Sequence, residues 1–464
     1  MWNTRYSMLM DEVTQCMDEG AIVPKNILEK LSALDPVRDG WNLPVIDGLS
    51  QALDALPRNP ELLNSEPNDL SEIRCITRKT HGDKSDFKLN ADYAERIDGA
   101  WRGRLFGCAL GLPYERLGCS TQDGRNVGTQ RVQDHLRVTG NFPITDFAKE
   151  LPDPGLKWGS KSLSNSIRGM EPDDDIHFTI ANLFVIEEFG SKFSWSNIAN
   201  WWIRNLPITE FCTAESQALL NYASRTARWG SDGGAQSMAT PEFSRRHLNP
   251  YREWIGAQIR TDLWGWISPL RPIQATEFAY RDASWTHERN GIYSSMFFAA
   301  MLSLAFGNPD IQSLIQNSLS FIPAKSRLAK AIQTTVEISL DTPDWNAALE
   351  RTLQELNAGR HRDMSPVHSI NNSAICVLAL LYGLDEPIQA IKLAVMSGYD
   401  TDCNGATVGS ISGVLFGSDL SNTSLCQRMG DAVSTRILGN PELRIPDLIQ
   451  RTISIARKVC QSPS

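Results

Sequence analysis

The sequence predicts an all-α fold, and three observations carry this prediction. Apolar residues repeat at helical spacing over the stretches 291–306, 374–384 and 405–417. Two segments place a glycine at every fourth position, which puts the glycines on one face of a helix. The second half of the chain shows no comparably strong alternation of apolar and polar residues, the pattern of a half-buried strand.

The chain of 464 residues changes character near residue 90. Residues 1–90 carry six prolines between short amphipathic pieces such as 49–56, which predicts an N-terminal extension of short helices. Longer apolar stretches follow, and we expect a larger unit over residues 91–464. Within it, residues 118–172 are polar and rich in Gly, Pro and Asp, which predicts a long irregular connection.

Composition argues against several classes of function. A formal net charge of -9 opposes binding to nucleic acid or to an anionic membrane surface, because both depend on clustered Lys and Arg. The N-terminus is acidic where a secretory signal is apolar, and no apolar run reaches the roughly 18 residues of a membrane span. We therefore expect a cytoplasmic protein. Its nine cysteines are scattered singly, which disfavours disulfides and structural zinc.

The glycine-striped segments predict close helix packing. Each carries four glycines: Gly99, Gly103, Gly107 and Gly111, then Gly405, Gly409, Gly413 and Gly417. Each glycine costs roughly 1 kcal/mol of helix stability relative to alanine, so dense contacts must compensate. The stripes alone indicate a packing device, between the two helices or against a common neighbour. If the two helices pack together, Glu115 would lie near Asp400 and Asp402.

Two clusters of aspartates open predicted helices: Asp173, Asp174 and Asp175, then Asp400 and Asp402. One acidic cluster at a helix start is usually a capping and dipole device, although a single aspartate is enough for a cap. Crowded carboxylates repel unless a cation or shared protons relieve them, and hard oxygen ligands suit Mg²⁺, Mn²⁺ or Ca²⁺ better than zinc. Together the clusters predict two divalent cations, Mg²⁺ first, that would activate a water molecule.

A third segment, residues 285–293, combines aromatic and hydrogen-bonding groups before an apolar helix, and we interpret it as a ligand-binding rim. Trp285 or Tyr293 would stack on a base, and the backbone at the helix start would bind ribose or phosphate. His287 taken alone is more often a structural hydrogen-bonding group than a catalyst. The expected substrate contacts are Trp285, His287, Asn290, Gly291, Ile292 and Tyr293.

Four segments in a fixed order resemble the ADP-ribosylglycohydrolases, a family that includes the dinitrogenase-reductase-activating glycohydrolase and the ADP-ribosyl-acceptor hydrolases. The segments are GAWRG through GLPYE at 99–115, PDDD at 172–175, NGIY at 290–293 and GYDTD at 398–402. The resemblance covers about residues 91–420. It implies an orthogonal helical bundle with a two-metal centre, usually Mg²⁺ or Mn²⁺, below a cleft for ADP-ribose.

The resemblance also implies roles for individual residues. Four aspartates would be metal ligands: Asp174, Asp175, Asp400 and Asp402. Asp173 and Cys403 stand where the family has hydroxyl residues, and we include both in the candidate metal-binding set. A thiol is a poor ligand for a hard cation, so Cys403 either leaves a coordination position to water or shifts the metal preference. Glu115 corresponds to the family's glutamate, a candidate for metal contact or for positioning the attacking water.

The expected function is hydrolysis of the ribosyl bond of an ADP-ribosylated protein or small molecule by metal-activated water. Glu115, Asp174 and Asp402 are the candidate catalytic residues. Two alternatives remain open at this point. One is a hydrolase of another small N- or O-riboside, and the other is a non-catalytic ADP-ribose-binding protein on the same fold.

Overall fold

A computed structural model describes most of the chain. The described residues are 4–37, 42–77, 82–84, 87–153, 155, 158–227, 236–307 and 310–461. Within them the all-α prediction is confirmed, because helices make up most of the structure and the strands are few and short. Among the described helices, none combines the length and apolar character that a membrane span requires.

The N-terminal region forms short helices, as its prolines predict. They are α1 (Arg5–Asp18), α2 (Lys25–Ser32), α3 (Leu43–Asp54), α4 (Pro60–Ser65) and α5 (Leu70–Ile76). The apolar faces of α1, α2 and α3 meet in a small hydrophobic cluster that includes Leu9, Leu31 and Leu53, whereas Ile73 of α5 packs into the main core. The first helices therefore carry a core of their own beside the main one.

The rest of the chain builds a large hydrophobic core and a smaller cluster that includes Ile338, Leu349 and Leu378. Its helices are α6 (Ala91–Gly111), α7 (Glu115–Gly118), α8 (Gly128–Val138), α9 (Asp174–Phe189), α10 (Trp195–Asn205), α11 (Thr213–Ser224), α12 (Pro241–Arg246), α13 (Asp262–Trp266), α14 (Pro272–Ala283), α15 (Asn290–Ala305), α16 (Ile311–Leu319), α17 (Arg327–Asp341), α18 (Trp345–Leu356), α19 (Ser369–Gly383), α20 (Gln389–Met396), α21 (Thr401–Phe416), α22 (Ser418–Ser421), α23 (Ser424–Met429) and α24 (Ile445–Gln461). Short 3₁₀ helices cover Leu112–Tyr114, Ser160–Ser162, Gly190–Lys192, Ile208–Glu210 and Ile255–Arg260.

Short strands form small sheets at the periphery. They are β1 (Thr121–Gln122), β2 (Arg125–Asn126), β3 (Gly169–Met170), β4 (Thr226–Ala227), β5 (Gln236–Ser237), β6 (Ala432–Ser434) and β7 (Glu442–Arg444). The pairs β1–β2 and β4–β5 are antiparallel, and β6 pairs with β3 in parallel and with β7 in antiparallel orientation. Strands of two or three residues are too short to show a period of two in a sequence.

The two glycine-striped helices, α6 and α21, pack directly on each other in antiparallel orientation. Gly103 faces Gly409 and Gly107 faces Gly405, so that an added Cβ at either position would run into the backbone carbonyl opposite. At the end of the α6 stripe, Gly111 meets the carbonyl of Thr401. Of the two packing arrangements that the stripes allow, the structure therefore has the direct one, and it brings the end of α6 against the start of α21.

The N-terminal helices dock on the main core through buried ion pairs. Arg252 lies 2.7 Å from Glu12 Oε2 and 2.8 Å from Glu19 Oε1. Arg327 contacts Glu66 Oε2 at 2.7 Å and Glu253 Oε1 at 2.6 Å. Each of these buried carboxylates is paired with a guanidinium. Directional ion pairs, and not only apolar contacts, therefore set the position of the N-terminal helices on the main core.

Candidate active site

The first acidic cluster is built at the start of α9. Asp173 is the N-cap residue, and its side chain accepts a hydrogen bond from the Asp175 backbone N–H at 3.0 Å. Asp173 and Asp175 are buried, whereas Asp174 is half-buried. Only one carboxylate serves as a cap, so the other two are free of that role.

The second acidic cluster is built at the start of α21. Gly398 and Tyr399 both have positive φ angles, 70° and 59°, which turn the chain sharply into the helix. The hydroxyl of Thr401 donates to the Gly111 carbonyl at 2.8 Å and anchors this turn to the end of α6. Asp400 and Asp402 are consequently buried beside the helix that precedes Glu115.

Potential ligand atoms from these elements form two overlapping groups. The first contains Cys108, Asp173, Asp175 and Asp402, and the second contains Asp400, Asp402 and Cys403. Within each group the candidate atoms all lie within 4.8 Å of one another. Asp402 belongs to both groups, which is the arrangement that two neighbouring cations with a shared carboxylate would use.

Several oxygens in the cluster are buried without a hydrogen-bond partner among the described residues. They are Glu115 Oε2, Asp173 Oδ2, Asp175 Oδ1, Asp400 Oδ1 and Asp402 Oδ1. A buried carboxylate oxygen without a partner is costly, so protons or cations must compensate for it. The donor set consists mainly of carboxylate oxygens and therefore fits hard divalent cations.

The electrostatics of the cluster favour the same interpretation. Burial raises the pKa of each carboxyl group in it. The charge of Asp400 further raises the pKa of Glu115, and that of Glu115 further raises the pKa of Asp402. For Asp174, burial and then Asp400 raise the pKa to about 6. Bound cations would reverse these shifts.

Arg104 and its partner Asp262 are among the residues beside the acidic cluster that sequence reasoning missed. Arg104 is fully buried, with Nη1 2.8 Å from Asp262 Oδ2 and Nη2 3.6 Å from Asp175 Oδ1. Its guanidinium therefore offsets part of the negative charge at Asp175. The sequence shows no sign of this role, because Arg102 and Arg104 both lie in the glycine-striped segment and nothing in the pattern tells which of them is buried.

The ligand-binding rim expected of Trp285 and Tyr293 is not formed. Trp285 is fully buried, with its ring centroid 4.9 Å from that of Trp202. Tyr293 is buried as well, and its hydroxyl donates to the Pro67 carbonyl at 2.5 Å. Neither ring presents a face on which a base could stack. The stacking interpretation was wrong because these aromatic groups belong to the hydrophobic core.

The remaining residues of that segment are also enclosed. Asn290 donates from Nδ2 to Glu66 at 2.9 Å and to Glu253 at 2.8 Å. His287 is buried and bonded to the Thr286 hydroxyl, the structural role that its type favours. Gly291 packs against the Arg252 carbonyl and Ile292 lies in the core. The start of α15 is thus capped by the N-terminal extension, and ligand does not reach it in this conformation.

Comparison with known proteins identifies the family of this chain. The family model for ADP-ribosylglycohydrolase matches residues 89–441. Among solved structures, a chain of an "ADP-ribosylglycohydrolase-related protein complex" is similar at 16% identity and a TM-score of 0.44, over 80% of this chain and 99% of that chain. The curated proteins include no significant match. Because the family model spans well over half of the sequence, the chain belongs to the ADP-ribosylglycohydrolase family.

Proposed function

We propose that this protein is a metal-dependent glycohydrolase that cleaves the ribosyl bond of an ADP-ribosylated protein or small molecule. One observation carries the proposal. Carboxylates from α7, α9 and the start of α21 converge, and five of their buried oxygens have no hydrogen-bond partner among the described residues. Membership of a glycohydrolase family supports the reaction class.

The residues present fit a pair of divalent cations. Asp173 and Asp175 would serve one ion and Asp400 the other, with Asp402 between them. The carboxylates alone put Mg²⁺ and Mn²⁺ first. When bound, such cations would polarise the hydroxyl groups of ribose and lower the pKa of a water molecule.

Glu115 is our candidate for the general base. Its Oε2 is buried and has no hydrogen-bond partner among the described residues, so it can accept a proton from water. Burial and the neighbouring carboxylates raise its pKa in the cation-free protein, and bound cations would lower the pKa again, which favours the ionised form that a general base requires. Asp174 is half-buried, and we place it on the substrate side of the cluster. There its negative charge would stabilise a transition state of oxocarbenium character.

A cavity of about 190 Å³ adjoins the helix that carries Glu115. Its lining combines an exposed guanidinium at Arg116 with Trp158, which is 39% exposed. A guanidinium suits a phosphate and an indole ring suits a base. We therefore propose this cavity for the nucleotide part of the substrate, in place of the segment at 285–293.

The test measures release of ADP-ribose by mass spectrometry from ADP-ribosyl-arginine and ADP-ribosyl-serine, with simple nucleosides in parallel. Asp174→Asn, Asp402→Asn and Glu115→Gln should each abolish turnover, whereas the exposed Asp419→Asn should retain it. Full activity in all three site variants would reject this site. Turnover of nucleosides alone would identify another riboside hydrolase, and tight ADP-ribose binding without turnover would identify a binding protein.

A further inference from the structure

Two cysteine thiols lie among the carboxylates of the cluster. Cys108, on α6, donates to Asp173 Oδ1 at 3.6 Å, and Cys403, in the first turn of α21, donates to Asp175 Oδ2 at 3.1 Å. Both are buried, with 0% and 6% of their surface exposed. Each of the two ligand groups contains one of these sulfurs. The thiols are therefore distributed one to each candidate metal position.

Hydrogen bonding to a carboxylate would by itself account for a buried thiol. It does not account for Asp173 Oδ2, Asp400 Oδ1 and Asp402 Oδ1, which are buried without a hydrogen-bond partner among the described residues. These three aspartates are 4%, 3% and 2% exposed. Within the two ligand groups, carboxylate oxygens of Asp173 and Asp402 lie within 4.8 Å of the Cys108 sulfur, and those of Asp400 and Asp402 within 4.8 Å of the Cys403 sulfur, so a cation in either group could bind both kinds of donor.

We propose that Cys108 and Cys403 are metal ligands, one for each ion, and that they shift the site from Mg²⁺ towards the softer cations Co²⁺ and Zn²⁺. Thiolate sulfur is a soft ligand that Mg²⁺ does not favour, whereas Co²⁺ and Zn²⁺ accept sulfur and carboxylate oxygen together. This inference rests on the metal site of the proposed function. It names the cation that the site selects.

Ligation exchanges one bond for another at each sulfur. The S–H bond breaks, a bond from sulfur to the metal forms, and the proton leaves without any change in oxidation state. The two thiols already donate to Asp175 and Asp173, so these carboxylates are the first acceptors of the released protons, which the solvent finally takes up.

The experiment is titration of the full-length protein with Co²⁺, followed by absorption spectroscopy and calorimetry. Thiolate ligation gives a charge-transfer band in the near ultraviolet that carboxylate ligation does not give. We expect the band in the wild-type protein, a loss of about half its intensity in Cys108→Ser or Cys403→Ser, and its absence in the double variant. The preference for Zn²⁺ over Mg²⁺ should fall at least about tenfold in each variant.

Cys426→Ser is the matched control, because Cys426 is a buried thiol on α23 outside both ligand groups. It should leave the band and the metal preference unchanged. X-ray absorption of the Zn²⁺-loaded wild-type protein gives a second measurement that needs no variant. It should show sulfur at about 2.3 Å from zinc.

Cobalt bound without a charge-transfer band in the wild-type protein would overturn the proposal, whether or not the variants fold. A band that persists at full intensity in the double variant would do the same. If calorimetry detects neither Co²⁺ nor Mg²⁺ on the wild-type protein, the metal site of the proposed function fails as well. The two failures are therefore distinguishable.

Discussion

Asn372 connects the start of α19 to the start of α21, although it is outside the acidic cluster itself. Its Oδ1 accepts hydrogen bonds from the Asp400 backbone N–H at 3.3 Å and from Asn404 Nδ2 at 2.8 Å. Its Nδ2 donates to the His368 carbonyl at 2.9 Å, and the side chain is fully buried. Asn372 therefore acts on the cluster by positioning Asp400.

Substitution of Asn372 should distinguish a role in positioning Asp400 from a role in the stability of the fold alone. Asn372→Ala leaves two buried donors unpaired, so we expect a loss of about 1–3 kcal/mol in the free energy of unfolding. It should also lower metal affinity by about ten- to a hundredfold, because Asp400 is no longer held. Calorimetry measures the affinity and thermal denaturation measures the stability.

A buried asparagine elsewhere provides the control for this change. Asn221 donates to the Ser244 carbonyl at 2.8 Å and has no contact with the cluster in the described structure. Asn221→Ala should reduce stability by a similar amount while metal affinity stays unchanged. Equal metal affinity in the two variants would contradict a positioning role for Asn372.

At the residue scale, the sequence reveals acidic clusters better than the groups that support them. Asp174 and Asp402 stand out because carboxylates are crowded at helix starts, and the structure brings both clusters together. Arg104, Cys108 and Asn372 reach the cluster only through tertiary packing, so their spacing along the chain carries no signal. The segment at 285–293 was misleading because the same residue types serve a buried core and an exposed ligand site.

The antiparallel pair α6–α21 is the element on which the geometry of the site depends. Gly107 lies opposite the backbone of Gly405, and at the same end of the helix pair the chain reaches Glu115 after α6 and Asp402 in the first turn of α21. The separation of the helices therefore sets the distance between these carboxylates. Any side chain in the interface would move them apart.

Gly107→Ala tests this dependence. Alanine favours an isolated helix over glycine by roughly 1 kcal/mol, but here its methyl group would overlap the Gly405 carbonyl. Because neither backbone can yield without moving its helix, we expect a net destabilisation of about 1–3 kcal/mol or more. Metal affinity should fall with it. Denaturant unfolding and calorimetry measure the two effects.

Gly48 provides a glycine-to-alanine control inside a helix. It lies on α3, and outside its own helix backbone an added Cβ there would meet no heavy atom of the described residues within 4 Å. Gly48→Ala should therefore stabilise the protein slightly through helix propensity, by at most about 1 kcal/mol. If Gly107→Ala proved as harmless as Gly48→Ala, the stripes would not control the helix separation.

Element prediction succeeded where the periodic signal was long. The helix expected after the three aspartates runs to Phe189, and Gly190 ends it with φ 68°. The apolar stretch 374–384 lies in α19, which begins earlier, at Ser369, and the stretch 405–417 lies in α21, which begins at Thr401. Polar first turns do not contribute to an apolar period, so these boundaries could not be read from it.

At the scale of the whole molecule, the N-terminal extension is tied to the main core by ionic contacts. Arg327 bridges Glu66 of the extension and Glu253 of the core. Burial alone would raise the pKa of Glu253, but Arg327 and other cationic neighbours lower it to about 2. The Glu253 carbonyl in turn accepts from the Ser369 N–H, at the start of the helix that carries Asn372. A division of the chain near residue 90 stays a prediction.

Removal of Arg327 tests how strongly this docking holds. Arg327→Met leaves Glu66 and Glu253 buried without their guanidinium, and we expect a loss of about 3–5 kcal/mol in the free energy of unfolding. Arg204→Met, which breaks an exposed pair with Glu188, should cost at most about 1 kcal/mol. Denaturant unfolding compares the two, and equal losses would contradict the structural role of the buried network.

Cation binding and pH should act on the stability of the whole protein through the cluster. The pKa of Asp174 is raised from 3.8 to about 6, and the neighbouring carboxyl groups shift in the same direction. In the absence of cations, the folded protein therefore binds protons at these carboxyl groups more tightly than the unfolded chain does. This contribution is fully present below the unfolded pKa of about 4 and is lost as pH rises through the folded pKa values, of which that of Asp174 is about 6.

At neutral pH, bound cations should restore the stability that the protein loses when these carboxyl groups ionise. They bind ionised carboxylates and compete with protons, so we expect divalent cations to raise the Tm more at about pH 7.5 than at about pH 5. Thermal unfolding of the protein after chelation, with and without added cation, gives this difference at each pH. Asp402→Asn should abolish most of the increment, because Asp402 belongs to both ligand groups, whereas Asp419→Asn should preserve it. An increment that is independent of pH, or that survives in Asp402→Asn, would show that the cations act elsewhere on the molecule.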